Sequence, residues 1–143
     1  MGCSAVPSSF AIGVMAKAPV PGQAKTRLIP ALGAEGAASL QRELTLRALQ
    51  TAQAAAPGAV TLFTAGDPSH PLWRQCHDQF GVAVVAQHGA HLGERMQHAL
   101  QALLRTHDRA ALIGTDCPIL EANHLVELQT ALDVARMAFI PAE

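Results

Sequence analysis

Hydrophobic and polar positions follow two rhythms along this chain, and each change of rhythm marks a new element. Residues 10–15 (F-A-I-G-V-M) are almost wholly apolar, as expected of a strand covered on both faces of a parallel sheet. A loop rich in proline and glycine follows. Over residues 34–55 the rhythm becomes helical: Leu40, Leu44, Ala48 and Ala52 recur at every fourth position among Gln, Arg and Glu, and Pro57-Gly58 ends the pattern. Residues 59–64 (A-V-T-L-F-T) read as a second strand, closed by Gly66-Asp67-Pro68.

The alternation then repeats. Residues 71–80 form a short helix bearing Trp73, and residues 82–86 a third apolar strand. Residues 92–106 read as a helix with Met96, Leu100, Leu103 and Leu104 on one side, and residues 109–114 as another short buried strand. Thr115-Asp116-Cys117-Pro118 caps that strand, a helix spans 121–135, and residues 137–140 supply a last strand. Leu40, Leu44, Met96, Leu100 and Leu103 are the expected core positions on the helices, and Arg42, Glu43 and Arg47 a solvated face. Four or five strands alternating with helices predict an α/β layered fold with a mostly parallel sheet. Without an internal repeat or linker, residues 10–143 read as one domain behind a flexible leader, residues 1–9.

Composition narrows the function classes. The chain has 143 residues, enough to bury roughly two thirds of the surface its unfolded form exposes. Half of its residues are hydrophobic, yet it has no Tyr and a single Trp, so the core must be aliphatic. A net charge of −1 and a pI near 6.6 argue against a nucleic-acid binder, which carries a basic surplus or stripe. Three cysteines without C-x-x-C spacing suggest neither a disulfide framework nor a zinc site, so a reducing cytoplasm is the expected location. No apolar run approaches the ~20 residues of a membrane helix. Met1-Gly2-Cys3 lacks the Ser or Thr that a myristoylation signal needs at the sixth position, where Val6 stands.

Ligands of open parallel sheets bind beyond the carboxyl ends of the strands, and two polar stretches occupy such ends. The first, Ala16-Lys17-Ala18-Pro19-Val20-Pro21-Gly22-Gln23-Ala24-Lys25-Thr26-Arg27-Leu28, reads as an anion site. Lys17, Lys25 and Arg27 could neutralise a diphosphate, Arg27 with a planar fork suited to two phosphate oxygens, and Gly22 allows close backbone approach. It is not a Walker P-loop: Lys25-Thr26 is present, but Ala24 and Pro19 stand in the two glycine positions. The bland alternative is three solvated surface charges. The second stretch carries Asp116, which either holds Mg²⁺ or Mn²⁺ together with substrate phosphates or only closes a turn and caps the next helix. Seven histidines, among them His70, His77, His91 and His98, lack the i, i+4 spacing of a helical zinc pair. Cys76 and Cys117 have no general base assignable from sequence, and cysteine is often simply buried.

Three motifs, taken in order, resemble a known family. Residues 10–28, with AKAPVPGQAKTRL at their centre, Leu92-Gly93-Glu94-Arg95-Met96, and Gly114-Thr115-Asp116-Cys117-Pro118 are similar to the bacterial glycosyltransferase-A-like family of selenium- or radical-SAM-associated transferases. That family has the nucleotide-diphospho-sugar transferase fold, with more distant similarity to molybdenum-cofactor guanylyltransferases. The resemblance implies a three-layer Rossmann-like fold that places Lys17, Gly22, Lys25 and Arg27 against a nucleotide and its phosphates. It implies that Gly93, Glu94 and Arg95 start a helix flanking the pocket, and that Asp116 is the catalytic, metal-bridging aspartate for Mg²⁺ or Mn²⁺.

The sequence also departs from the family. Ile119 and Leu120 are apolar where an acidic residue is common, and His91 replaces an Asp that commonly precedes Leu-Gly. Members continue beyond Pro141-Ala142-Glu143, so the resemblance implies a nucleotide-binding half whose C-terminal part is missing, through a truncated gene or with completion by a homodimer. Three functions follow as expectations: a metal-dependent glycosyltransferase that binds a nucleoside diphosphate sugar, a nucleotidyltransferase that uses a nucleoside triphosphate, or a non-catalytic nucleotide-binding or assembly module.

Overall fold

The computed structural model describes residues 10–115. The helix expected over 121–135, the strand expected over 137–140, and Asp116 itself lie outside the described residues. Strand β1 (Phe10–Lys17) runs through the middle of a four-stranded parallel sheet. It pairs on one side with β2 (Val60–Ala65) and on the other with β4 (Arg109–Ile113), while β3 (Ala83–Ala86) pairs with β2. The order β3-β2-β1-β4 is the opening of a doubly wound sheet. In register, Val14 faces Leu62 on one neighbour and Ile113 on the other.

Because side chains alternate across a strand, β1 supplies two cores. Phe10, Ile12, Val14 and Ala16 pack on one face with Ala48, Leu49 and Ala52 of helix α1 (Ile29–Ala55) and Leu72 and Trp73 of helix α2 (Pro71–Phe80). Ala11 on the other face joins Phe63, Ala99 and Leu103, the last two from helix α3 (Leu92–Leu104). Helices therefore cover both faces and the fold has three layers, as the family resemblance implies. Gly13 makes the α3 side close enough: a Cβ there would lie 2.7 Å from Leu112 Cδ2 and 2.8 Å from Phe63 Cε2.

Several boundaries are legible in the sequence and several packing details are not. α2 spans the predicted residues. α1 begins earlier, at Ile29, but Gly33 at φ 76°, ψ 164° breaks it, so the continuous helix does start near residue 34. Its buried face is Ala37, Ala38, Gln41, Thr45, Ala48, Leu49 and Ala52, whereas Leu40 and Leu44 are only half-buried. Small residues line the sheet side because they let the helix backbone come near, and the leucines flank that contact. On α3 the buried positions are Ala99 and Leu103, while Met96 is 36% and Leu104 48% exposed. The four-residue apolar stripe expected there is thus rotated, with the sheet taking the row that includes alanine. β3 is likewise exposed where a covered strand is expected: it borders only β2 among the described residues, and Val85 faces solvent.

Two histidines cap helices. His70 Nδ1 accepts from Leu72 N at 3.0 Å at the start of α2, and His91 Nδ1 accepts from Glu94 N at 3.3 Å at the start of α3. An imidazole acceptor can fill the place where Asp is a familiar N-cap, which gives His91 a structural reason. The Cys76 thiol is fully buried, and burial pushes its pKa up to about 11, so it is not a nucleophile.

Candidate functional site

The chain lays β1, β2 and β3 outward in one direction and then returns to place β4 on the opposite side of β1. Such a reversal leaves a crevice beyond the carboxyl ends of the two strands that flank it. Pairing of β1 with β4 stops at Val14 and Ile113, whereas β1 stays paired with β2 as far as Lys17 and Ala65. A cleft of about 630 Å³ opens at this place, bordered by Lys17, Lys25, Arg27, Arg95 and Thr115, with Gln41 also lining it. No carboxylate lines it among the described residues. Four cations therefore converge on one cleft of a chain whose net charge is −1.

The opening loop is pre-shaped by its own backbone. Val20 N donates to Ala18 O across Pro19 at 2.9 Å, and Val20 O accepts from Gln23 N at 2.9 Å and Ala24 N at 3.1 Å. Ala18 N donates to Ala65 O at 2.9 Å, which ties the loop to β2, and Ala24 is buried beneath it. Gly22 takes a positive φ of 86° at the turn and is itself exposed, outside the cleft wall. Three N–H groups that a P-loop would aim at phosphate are thus used internally, and two prolines have none. The cations that this loop brings to the cleft are the side chains of Lys17, Lys25 and Arg27.

Lys25 has φ 50° and ψ 46°, and is the one non-glycine with positive φ among the described residues. That conformation costs a side-chain-bearing residue on the order of 1–3 kcal/mol and is kept mainly where function needs a particular direction. Burial, and secondly the Arg27 guanidinium, hold the Lys25 pKa below the usual lysine value. A bound anion would act against both, because an opposite charge nearby favours the protonated ammonium.

Of the α3 residues singled out by sequence, Arg95 lines the cleft, its Nε donating to Gly89 O at 3.2 Å. Gly93 and Glu94 start the helix but do not line the cleft. Glu94 Oε1 instead accepts from Ala90 N at 3.1 Å, completing a reciprocal cap with His91. Lys17, Lys25, Arg27 and Arg95 are thus brought together, while Gly22, Gly93 and Glu94 shape the backbone around them.

Residues that the sequence reading passed over also meet here. Gln41 is 4% exposed, and its Nε2 donates to Lys17 O at 3.1 Å and Thr115 Oγ1 at 3.4 Å. Thr45 Oγ1 fixes the helix beside it by donating to Gln41 O at 2.8 Å. Gln87 Nε2 donates to Phe63 O at 3.0 Å at the end of β2. The available signal was a pair of polar residues, Gln41 and Thr45, set among alanines on one face of a helix. No group of three or more His, Cys, Asp or Glu side chains is placed to hold a metal among the described residues. No helix among them is long and apolar enough to cross a membrane.

A parallel three-layer sheet with its cleft at the strand-order reversal defines the doubly wound α/β class. Within it, the chain belongs to the family described as "Uncharacterized protein conserved in bacteria (DUF2064)", whose model matches residues 46–143. It is similar to a crystal structure from Desulfovibrio desulfuricans G20 described, provisionally, as a nucleotide-diphospho-sugar transferase: TM-score 0.72 and 31% identity over 88% of this chain. The chain spans 55% of the length of that protein. No curated protein matches it. The fold is that of the nucleotide-diphospho-sugar transferases.

Proposed function

We propose that this chain binds the diphosphate of a nucleotide sugar in the β1/β4 cleft and forms the nucleotide-binding part of a metal-dependent glycosyltransferase of the glycosyltransferase-A-like group. The observation that carries this reading is the convergence of Lys17, Lys25, Arg27 and Arg95 on the cleft at the reversal of strand order, which no carboxylate lines among the described residues. The resemblance of its three motifs to the selenium- or radical-SAM-associated transferases supports the same reading. Asp116 follows Thr115 directly in the chain and would be the protein ligand for Mg²⁺ or Mn²⁺. With no carboxylate among the described lining residues, the rest of the coordination would come from ligand phosphate and water, the usual arrangement for Mg²⁺. When bound, the ion neutralises the charge that develops on the departing diphosphate. The cations on the cleft wall orient the two phosphates and stabilise the same charge.

Thermal-shift titration with UDP-glucose, GDP-mannose, GTP and CTP, each with and without Mn²⁺, tests the reading. A ligand at a hundred times its Kd adds about 2.7 kcal/mol to stability, enough for a clear rise in melting temperature. The expected result is a rise with a nucleotide sugar, larger with Mn²⁺, whose metal-dependent part disappears in Asp116→Ala. A preference for a triphosphate would favour nucleotidyl transfer instead, and no shift with any of the four contradicts nucleotide binding.

A further inference from the structure

Gln41 and Thr115 face each other where β1 and β4 part, and both line the cleft. Each is at least nine-tenths buried: Gln41 is 4% and Thr115 8% exposed. A carboxamide nitrogen has two hydrogens and no lone pair to offer. Gln41 Nε2 directs them at Lys17 O, at 3.1 Å, and Thr115 Oγ1, at 3.4 Å, with Thr45 Oγ1 a more distant partner at 3.5 Å. Thr115 Oγ1 is therefore the acceptor in its bond to Gln41. A hydroxyl that accepts keeps its own hydrogen to donate, and the described residues offer Thr115 no acceptor for it. The cleft, walled by cations and free of carboxylates among those residues, is where an acceptor can enter.

We propose that Thr115 is a ligand-contacting hydroxyl donor for a phosphoryl oxygen in this cleft, and that Gln41 is the positioning residue that fixes its polarity and ties it to the end of β1. The inference rests on the anion-binding reading above and adds two residues to it. It places one neutral donor between the opening-loop cations and the β4 end, so the ligand's phosphate is held from both sides of the crevice. Because Gln41 also holds the Lys17 carbonyl, one amide sets the spacing between the two strand ends.

Calorimetric titration with inorganic pyrophosphate, without metal, tests this on the full chain. Thr115→Val removes the hydroxyl with little change of shape and is expected to weaken binding about tenfold, as for loss of one hydrogen bond to a charged group. Thr115→Ser keeps the donor and should bind within about twofold of the wild type. Gln41→Met should weaken binding in the wild type, yet add less than about twofold on top of Thr115→Val, because residues acting as one unit are not additive. A wild type that binds pyrophosphate as tightly as Thr115→Val, or Thr115→Ser that fails like Thr115→Val, overturns the donor role. Full additivity of Gln41→Met overturns the coupling. A wild type that binds no pyrophosphate removes the anion site itself and the donor role with it. If Gln41→Met does not fold, the Val and Ser pair at position 115 decides the donor role.

Discussion

Replacing Lys25 and Arg27 together with alanine is expected to weaken binding of a nucleoside diphosphate sugar about 100-fold or more, with the melting temperature changed by no more than a few degrees. Each cation would contribute a charge-assisted bond worth roughly 1.5–3 kcal/mol, and about 1.4 kcal/mol is tenfold in affinity. Little stability should be lost. Lys25 and Arg27 repel each other, Lys25 is partly desolvated, and the loop is held by backbone bonds around Val20 and by buried Ala24. Isothermal titration and circular dichroism of the same samples separate the two effects.

The lowered Lys25 pKa sets the direction of the pH dependence. With its folded value below the ordinary 10.5, the unfolded chain holds this proton more tightly than the native one. Protonated Lys25 therefore costs the native state stability at neutral pH, and that cost is relieved as pH rises from the folded value toward 10.5. Affinity for an anion runs the other way. It should fall as Lys25 loses its proton, beginning at a pH below the ordinary lysine value, and Lys25→Ala should remove that step from the affinity profile.

The second large effect concerns stability alone. Trp73→Ala is expected to cost about 3–5 kcal/mol, the range for deleting a buried large aromatic side chain. The ring is 5% exposed within the core formed by β1, α1 and α2, and its Nε1 donates to Asp67 O at 2.9 Å, fastening α2 to the end of the β2 loop. A loss of that size lowers the melting temperature by on the order of 10 °C or more. Far-UV circular dichroism is the suitable probe, because the substitution removes the only tryptophan. No residue of α2 lines the cleft among those described. Nucleotide affinity measured well below the transition should therefore match the wild type, whereas a parallel loss of affinity would mean that α2 supports the site.

These two substitutions also show what the sequence can and cannot reveal. The strands were legible because burial on both faces leaves a largely apolar run, unbroken in residues 10–15 and interrupted only by Thr61 and Thr64 in residues 59–64. The opening cations were legible because they follow such a run, at the end where parallel sheets bind ligands. Their companions were not. Gln41 sits within a helix whose leucine spacing suggests a different face, and its burial follows from how closely α1 approaches β1, which alanine at positions 37, 38 and 48 permits but does not announce. The exposure of Leu104 and Val85 has the same origin. An apolar side chain is buried only where another element lies over it, and a periodic pattern does not say which elements meet. Glu94 shows the converse: a charged residue in a motif that resembles a nucleotide site is occupied in capping its own helix.

The most direct measurement is amide mapping by ¹⁵N–¹H NMR of this 15.0 kDa chain as UDP-glucose or GDP-mannose is added with Mg²⁺. Binding at the strand-order reversal predicts shifts concentrated at Lys17, Gln23 through Arg27, Arg95, Gly114 and Thr115, with little change in β3 or α2. Shifts confined to other surfaces, or none at saturating nucleotide sugar, would contradict the assignment of this cleft.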